Sequence, residues 1–154
     1  NIGGWDTHTR QGQLYGKHRQ LLGNVALAFH AFYRDMQDQW GDMVVVTMTE
    51  FGRTSKENGS RGTDHAEATA MFVAGGGVKG GVYNCDKRSW KNGDMFSTKN
   101  GRYLSRKTDF RSVFGEIFTD HFGDSKKQLS QVIPTYDEAR KKNPSDFKKL
   151  GLFA

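Results

Sequence analysis

The sequence predicts an α/β fold, and three observations lead to it. An apolar stripe at helical spacing runs from about Leu14 to Trp40, a short apolar run follows at Met43–Thr49, and a second amphipathic stretch spans Asp109–Phe122. A helix, a Gly41-Asp42 break and a buried strand make half of an αβ repeat. At 154 residues the chain fits one domain or a portion of a larger one, and its hydrophobic fraction of 35% allows only a thin core. No apolar run reaches the eighteen residues a membrane span needs.

The first segment, Ile2–His8, is short and led by Gly3-Gly4. If Trp5–His8 is extended, Asp6 and His8 point to one side and Trp5 and Thr7 to the other. A carboxylate and an imidazole then stand side by side. In the helical stretch, Leu14, Leu21, Val25, Ala28, Phe29, Phe32, Met36 and Trp40 recur at three- and four-residue steps. Gly16 and Gly23 weaken its early turns, so the pattern is firmest over Leu21–Gln39, and Gly41 is the expected stop. His18 and His30 lie on this helix and read as packing or surface residues.

Met43–Thr49 reads as a strand buried on both faces. It delivers a polar loop holding Glu50, Arg53, Glu57, Asn58, Arg61, Asp64 and His65, and open α/β sheets build their sites at such strand ends. Ala66–Ala74 is expected to begin as a helical turn and to end as a strand, Met71–Ala74. The glycines of Gly75–Gly81 match no phosphate-binding fingerprint and read as a turn with positive φ. Lys91-Asn92-Gly93-Asp94 and Lys99-Asn100-Gly101-Arg102 are hairpin-turn candidates. Asp109–Phe122 is an amphipathic helix capped by Thr108 or Asp109 and stopped by Gly123. Residues 124–154 carry both prolines and read as an irregular basic tail, docked by Leu150, Leu152 and Phe153.

The net charge of +6 describes a solvated basic surface. The lysines and arginines lack the aromatic interleaving of an RNA-binding sheet and the spacing of zinc fingers, which argues against a nucleic-acid partner. Cys85 is the single cysteine and excludes an internal disulfide framework. The chain begins with Asn and its candidate site residues start at position 6. A longer N-terminal portion, in the same chain or a second one, is therefore expected.

Asp6, His8, Asp64 and His65 form a mixed oxygen and nitrogen set suited to zinc, manganese or iron, whereas magnesium and calcium favour more oxygen. Adjacent residues on a strand point oppositely, so Asp64 and His65 serve together only in a turn or bulge. Two acid–imidazole pairs can hold one or two divalent ions against a phosphate or sulfate ester. Arg53 is then a bidentate clamp for the oxyanion. Glu50 or Thr63 orients a ligand from behind.

Five motifs, GGWDTH (Gly3–His8), TEFGRT (Thr49–Thr54), ENGSRGTDH (Glu57–His65), VAGGGVKGG (Val73–Gly81) and TDFRSVFGEIF (Thr108–Phe118), resemble in order the C-terminal part of a bacterial family. It is the family catalogued as domain of unknown function 1501, and the closing LGLF (Leu150–Phe153) is also similar to its end. The resemblance implies the C-terminal part of an alkaline-phosphatase-like α/β/α sandwich that binds one or two divalent metals. By that pattern Asp64 and His65 correspond to a late Asp-His ligand pair, and Asp6 and His8 to the earlier ligands. It also implies export, to the periplasm or cell surface. Asp6 and His8 stand one residue apart where the superfamily has three, and the superfamily's nucleophile falls on an early strand outside this chain. An exported binding or assembly protein that retains the fold without catalysis is thus the alternative.

Overall fold

The computed structural model describes residues 1–83 and 95–153. The Lys91–Asp94 turn candidate and Cys85 lie outside the described residues. Helices and small antiparallel sheets together make a mixed α/β chain, arranged as two compact units. The first comprises Asn1–Trp40, Met48–Met71 and Met95–Ser105; the second comprises Gly41–Thr47, Phe72–Asp94 and Arg106–Ala154. No helix among the described residues is long and apolar enough to cross a membrane.

In the first unit, α1 spans Lys17–Asp35 and ends where the Met36 N–H donates to the Phe32 carbonyl. The chain then tightens into a 3₁₀ turn, Gln37–Asp42. Gly41 therefore sits inside that turn and does not terminate the α-helix, which stops earlier than the apolar periodicity suggests. The buried stripe is also narrower than expected. Leu21 is buried and Val25 and Phe29 are partly covered, whereas Leu14, Ala28 and Phe32 are exposed.

The loop that follows is organised by two short strands, β2 (Gly52–Arg53) and β3 (His65–Ala66), paired antiparallel with Arg53 opposite His65. No helical turn forms after β3, because Ala66 and Ala68 are drawn against Gly52 instead. A Cβ at Gly52 would fall on the Ala68 backbone. The N-terminal segment lies along the same loop through a Thr9–Arg61 bridge. The Asn100-Gly101 turn forms as expected, with Gly101 at φ 67° and a Phe96–Leu104 bridge behind it.

In the second unit, β1 (Val44–Val46) pairs antiparallel with β4 (Val73–Gly75), Val45 standing opposite Ala74. The strand is shorter than the apolar run and half-buried on average, not buried on both faces, since a two-stranded ladder cannot cover both. None of the glycines in Gly75–Gly81 takes a positive φ. Gly75 is needed for close approach: a Cβ there would meet the Met43 carbonyl.

Helix α2 (Phe110–Glu116) is capped by Asp109, whose carboxylate accepts from the Arg111 N–H, and runs into a π-helical turn, Ile117–His121. Gly123 then turns the chain at φ 76°. The expected irregular tail is largely helical: α3 covers Lys126–Val132, α4 covers Tyr136–Lys142, and a 3₁₀ turn covers Pro144–Phe147. Its physical signals are present in the residues. Ser125 and Gln128 form a capping pair, acids open α4 and bases close it, matching the helix dipole. Leu129, Ile133 and Tyr136 form a buried cluster with Phe114, Phe118 and Phe147 packed on it. Glu116, itself buried, accepts from the backbone N–H groups of Leu150, Gly151 and Leu152 and so ties down the C-terminal segment.

Candidate metal centre

All the residues expected at the site belong to the first unit. The extended N-terminal segment sets Asp6 and His8 side by side, with His8 Nε2 3.1 Å from Asp6 Oδ1. Strand β3 brings His65 to the same carboxylate oxygen, its Nε2 at 2.7 Å. One ligand atom from each of Asp6, His8 and His65 thus lies within 4.8 Å of the other two. The three side chains are between 44% and 59% exposed, which leaves the cluster open to a ligand.

Asp64 does not join this group. Asp64 stands just before the two-residue strand β3, outside its ladder. The Asp64 carboxylate reaches the opposite face of His8, with Oδ1 3.1 Å from Nδ1. The same oxygen accepts from Asn58 Nδ2 at 2.8 Å, and Oδ2 accepts from Arg102. His8 is therefore held between two carboxylates, Asp64 on one nitrogen and Asp6 on the other.

Packing fixes the rings. His65 stacks on Phe51 with centroids 3.9 Å apart and on His8 at 4.8 Å. Arg53 donates to Asp6 Oδ1 at 3.1 Å and to the Trp5 and Thr63 carbonyls, both at 2.5 Å. Its guanidinium is thus engaged in holding the N-terminal segment to the loop rather than presented to an oxyanion. Glu50 is exposed and, among the described residues, makes no hydrogen bond or ion pair. The Thr63 hydroxyl donates to Gln11 Oε1, which also accepts from Thr7. His18 packs edge-on against Trp5, and His30 is exposed on α1.

Electrostatics follow the contacts. The hydrogen bond from His65, helped by His8 and Arg53, holds the Asp6 carboxyl below its ordinary range. Asn58 does the same for Asp64, with His8 and Arg102 contributing. Both groups are carboxylates at neutral pH, as metal coordination and imidazole orientation require. Sequence reasoning places Asn58 in the polar loop without a role, and gives none to Arg102 or Phe51. Asn58 precedes a glycine and so marks a turn, but nothing in the spacing reveals which carboxylate its amide serves.

Compared with protein-family models, residues 1–98 match the family described as Protein of unknown function (DUF1501). The matched range contains Asp6, His8, Arg53, Asp64 and His65, whereas the Thr108–Phe118 and Leu150–Phe153 motifs lie outside it. No curated protein and no solved structure matches the chain.

Proposed function

The chain belongs to the DUF1501 family of proteins of unknown function, and from that premise we propose a metal-dependent hydrolase-like protein acting on phosphate or sulfate esters. Its architecture would be that of the alkaline phosphatase and sulfatase superfamily, and its location exported, periplasmic or at the cell surface. The observation that carries the reading is the convergence of Asp6, His8 and His65 from two distant stretches of chain.

The donor set fits one zinc or manganese ion: one carboxylate oxygen and two imidazole nitrogens, with the remaining side open to solvent. Such an ion supplies Lewis acidity to an ester oxygen. The chain's own residues prepare the donors. Asp64 accepts a hydrogen bond from the His8 Nδ1–H and so leaves the Nε2 lone pair facing Asp6, the arrangement in which a carboxylate behind a histidine orients it toward a metal. Arg53 fixes the Asp6 carboxylate, and Phe51 fixes the plane of His65.

A second reading is favoured by one observation: the two residues expected to support catalysis are not arrayed at the cluster. Arg53 is occupied by carbonyls and Glu50 stands apart. That arrangement suits an exported binding or assembly protein that keeps the fold and has no hydrolytic activity.

Metal analysis of the purified chain, with p-nitrophenyl phosphate and p-nitrophenyl sulfate as substrates, separates the readings. Stoichiometric zinc or manganese lost in His65→Ala, with hydrolysis lost in parallel, supports the hydrolase. Bound metal without hydrolysis supports the binding protein. A folded chain that takes up neither ion ends the hydrolase and leaves the binding or assembly protein.

A further inference from the structure

Among the described residues three non-glycine positions take a positive φ: Arg10 at 45°, Arg61 at 61° and Thr135 at 58°. The two arginines line one cavity of about 500 Å³ that is wide open to solvent, together with Gln13, Tyr15 and Glu57. A left-handed backbone disfavours any residue that carries a Cβ, and glycine avoids the strain. The surrounding structure imposes it on both arginines. The Arg10 N–H donates to the Ser60 carbonyl at 3.0 Å, and the Gln11 N–H donates to the Arg61 carbonyl at 2.9 Å. The Thr9–Arg61 bridge completes the seam.

The two guanidiniums differ from their neighbours. Arg53 and Arg102 are engaged by carbonyls and carboxylates. Among the described residues, neither the Arg10 nor the Arg61 side chain has a hydrogen-bonding or ion-pair partner. Two left-handed positions thus place two arginines without side-chain partners on one cavity, and guanidinium forks match tetrahedral oxyanions.

Glu57 lines the same cavity and is likewise unpartnered. Its carboxylate opposes a bare anion and favours a ligand that presents hydroxyl donors beside its charge. Tyr15 is 83% exposed, and its ring offers an apolar face to the C–H groups of a sugar. We propose that this cleft binds a phosphate or sulfate group carried on a sugar. The site uses none of the residues of the metal cluster and does not depend on the reading of that cluster.

The test is calorimetric titration of the full chain in the presence of a chelator. The probes are glucose 6-phosphate, glucose 6-sulfate, inorganic phosphate, inorganic sulfate and glucose. Each ester should bind more tightly than its free anion, glucose should not bind, and affinity should fall with added salt. The tighter ester identifies the oxyanion. Arg61→Gly and Arg10→Gly should each weaken ester binding about fivefold or more. Their melting temperatures should hold or rise, because glycine accepts the left-handed backbone. Glu57→Gln should narrow the preference for ester over free anion. Unchanged affinity in both glycine variants, lower melting temperatures in both, or free anions binding as tightly as the esters would overturn the proposal.

Discussion

At the scale of single residues, the most instructive atom is His8 Nδ1. Asp64 stands 3.1 Å from it, held there by Asn58 and Arg102. Removing that charge while keeping the shape should leave the fold intact and loosen the orientation of His8. Asp64→Asn is expected to weaken zinc binding about 10–100-fold, measured by competition with a chelating dye. Asp6→Asn, which removes a donor itself, should abolish stoichiometric binding. Equal, small effects from both substitutions would remove Asp64 from its positioning role. The alternation of side chains along an extended segment was readable from the residues, and it correctly puts Asp6 beside His8. The same rule places Asp64 and His65 apart. Whether a turn relieved that constraint depended on the β2–β3 pairing, a long-range contact that no local spacing encodes. The occupation of Arg53 was hidden for a related reason: its partners are the Trp5 and Thr63 carbonyls, and every residue has a carbonyl.

At the scale of elements, the site rests on one close approach. A methyl group at Gly62 would fall on the backbone of Thr7 and His8, where no flexible side chain can yield. Gly62→Ala should therefore cost about 1–3 kcal/mol by urea denaturation and reduce metal binding at the same time. Stability lost with binding retained would place the segment's docking elsewhere. In the second unit, Asp120 is paired with Lys149 at 2.9 Å. The hydrogen bond from Lys149 lowers the Asp120 pKa, and the same bond raises that of Lys149. The lowered carboxyl stabilises the fold at neutral pH and loses that contribution as acid carries the solution down through its folded pKa. The raised ammonium contributes until base carries the solution up through its own. Asp120→Asn should thus cost no more than about 1 kcal/mol at pH 7, and thermal melts should show the difference shrinking on acidification. A difference that grows with acid would assign it to another group. The helices were legible where periodicity was long and caps were local, as at Asp109 and Gly123. In the tail the prolines point to irregular chain, while the equally visible capping signals at Ser125 and Gln128 prevail. The strand at Val44–Val46 and, near Met71–Ala74, its partner β4 were legible as strands, but their antiparallel pairing and half-exposure were not, because apolar runs state what wants burial and not what is available to cover it.

At the scale of the whole molecule, the two compact units carry different kinds of interior. The second has an aromatic and aliphatic cluster around Leu129, Ile133 and Tyr136. In the first, Leu21 is the buried aliphatic side chain among the described residues, and its other buried side chains include Thr7 and Thr54. Hydrogen bonds between the N-terminal segment and the β2–β3 loop therefore carry much of the cohesion around the cluster. They are the contacts most open to local fraying. An ion bound by Asp6, His8 and His65 would tie those same two stretches together. A ligand that binds only the closed form, at a hundredfold excess over its dissociation constant, stabilises it by about 2.7 kcal/mol. Zinc or manganese should thus slow amide exchange about a hundredfold across Trp5–Thr9 and Gly52–Ala66, where local opening limits exchange. Exchange in α2 and α3 should stay as it is without the ion. Hydrogen-exchange mass spectrometry with and without metal reads both halves of that expectation. Protection spread evenly over both units would mean that the ion acts on global unfolding, and protection absent from Trp5–Thr9 would mean that Asp6 and His8 do not hold it.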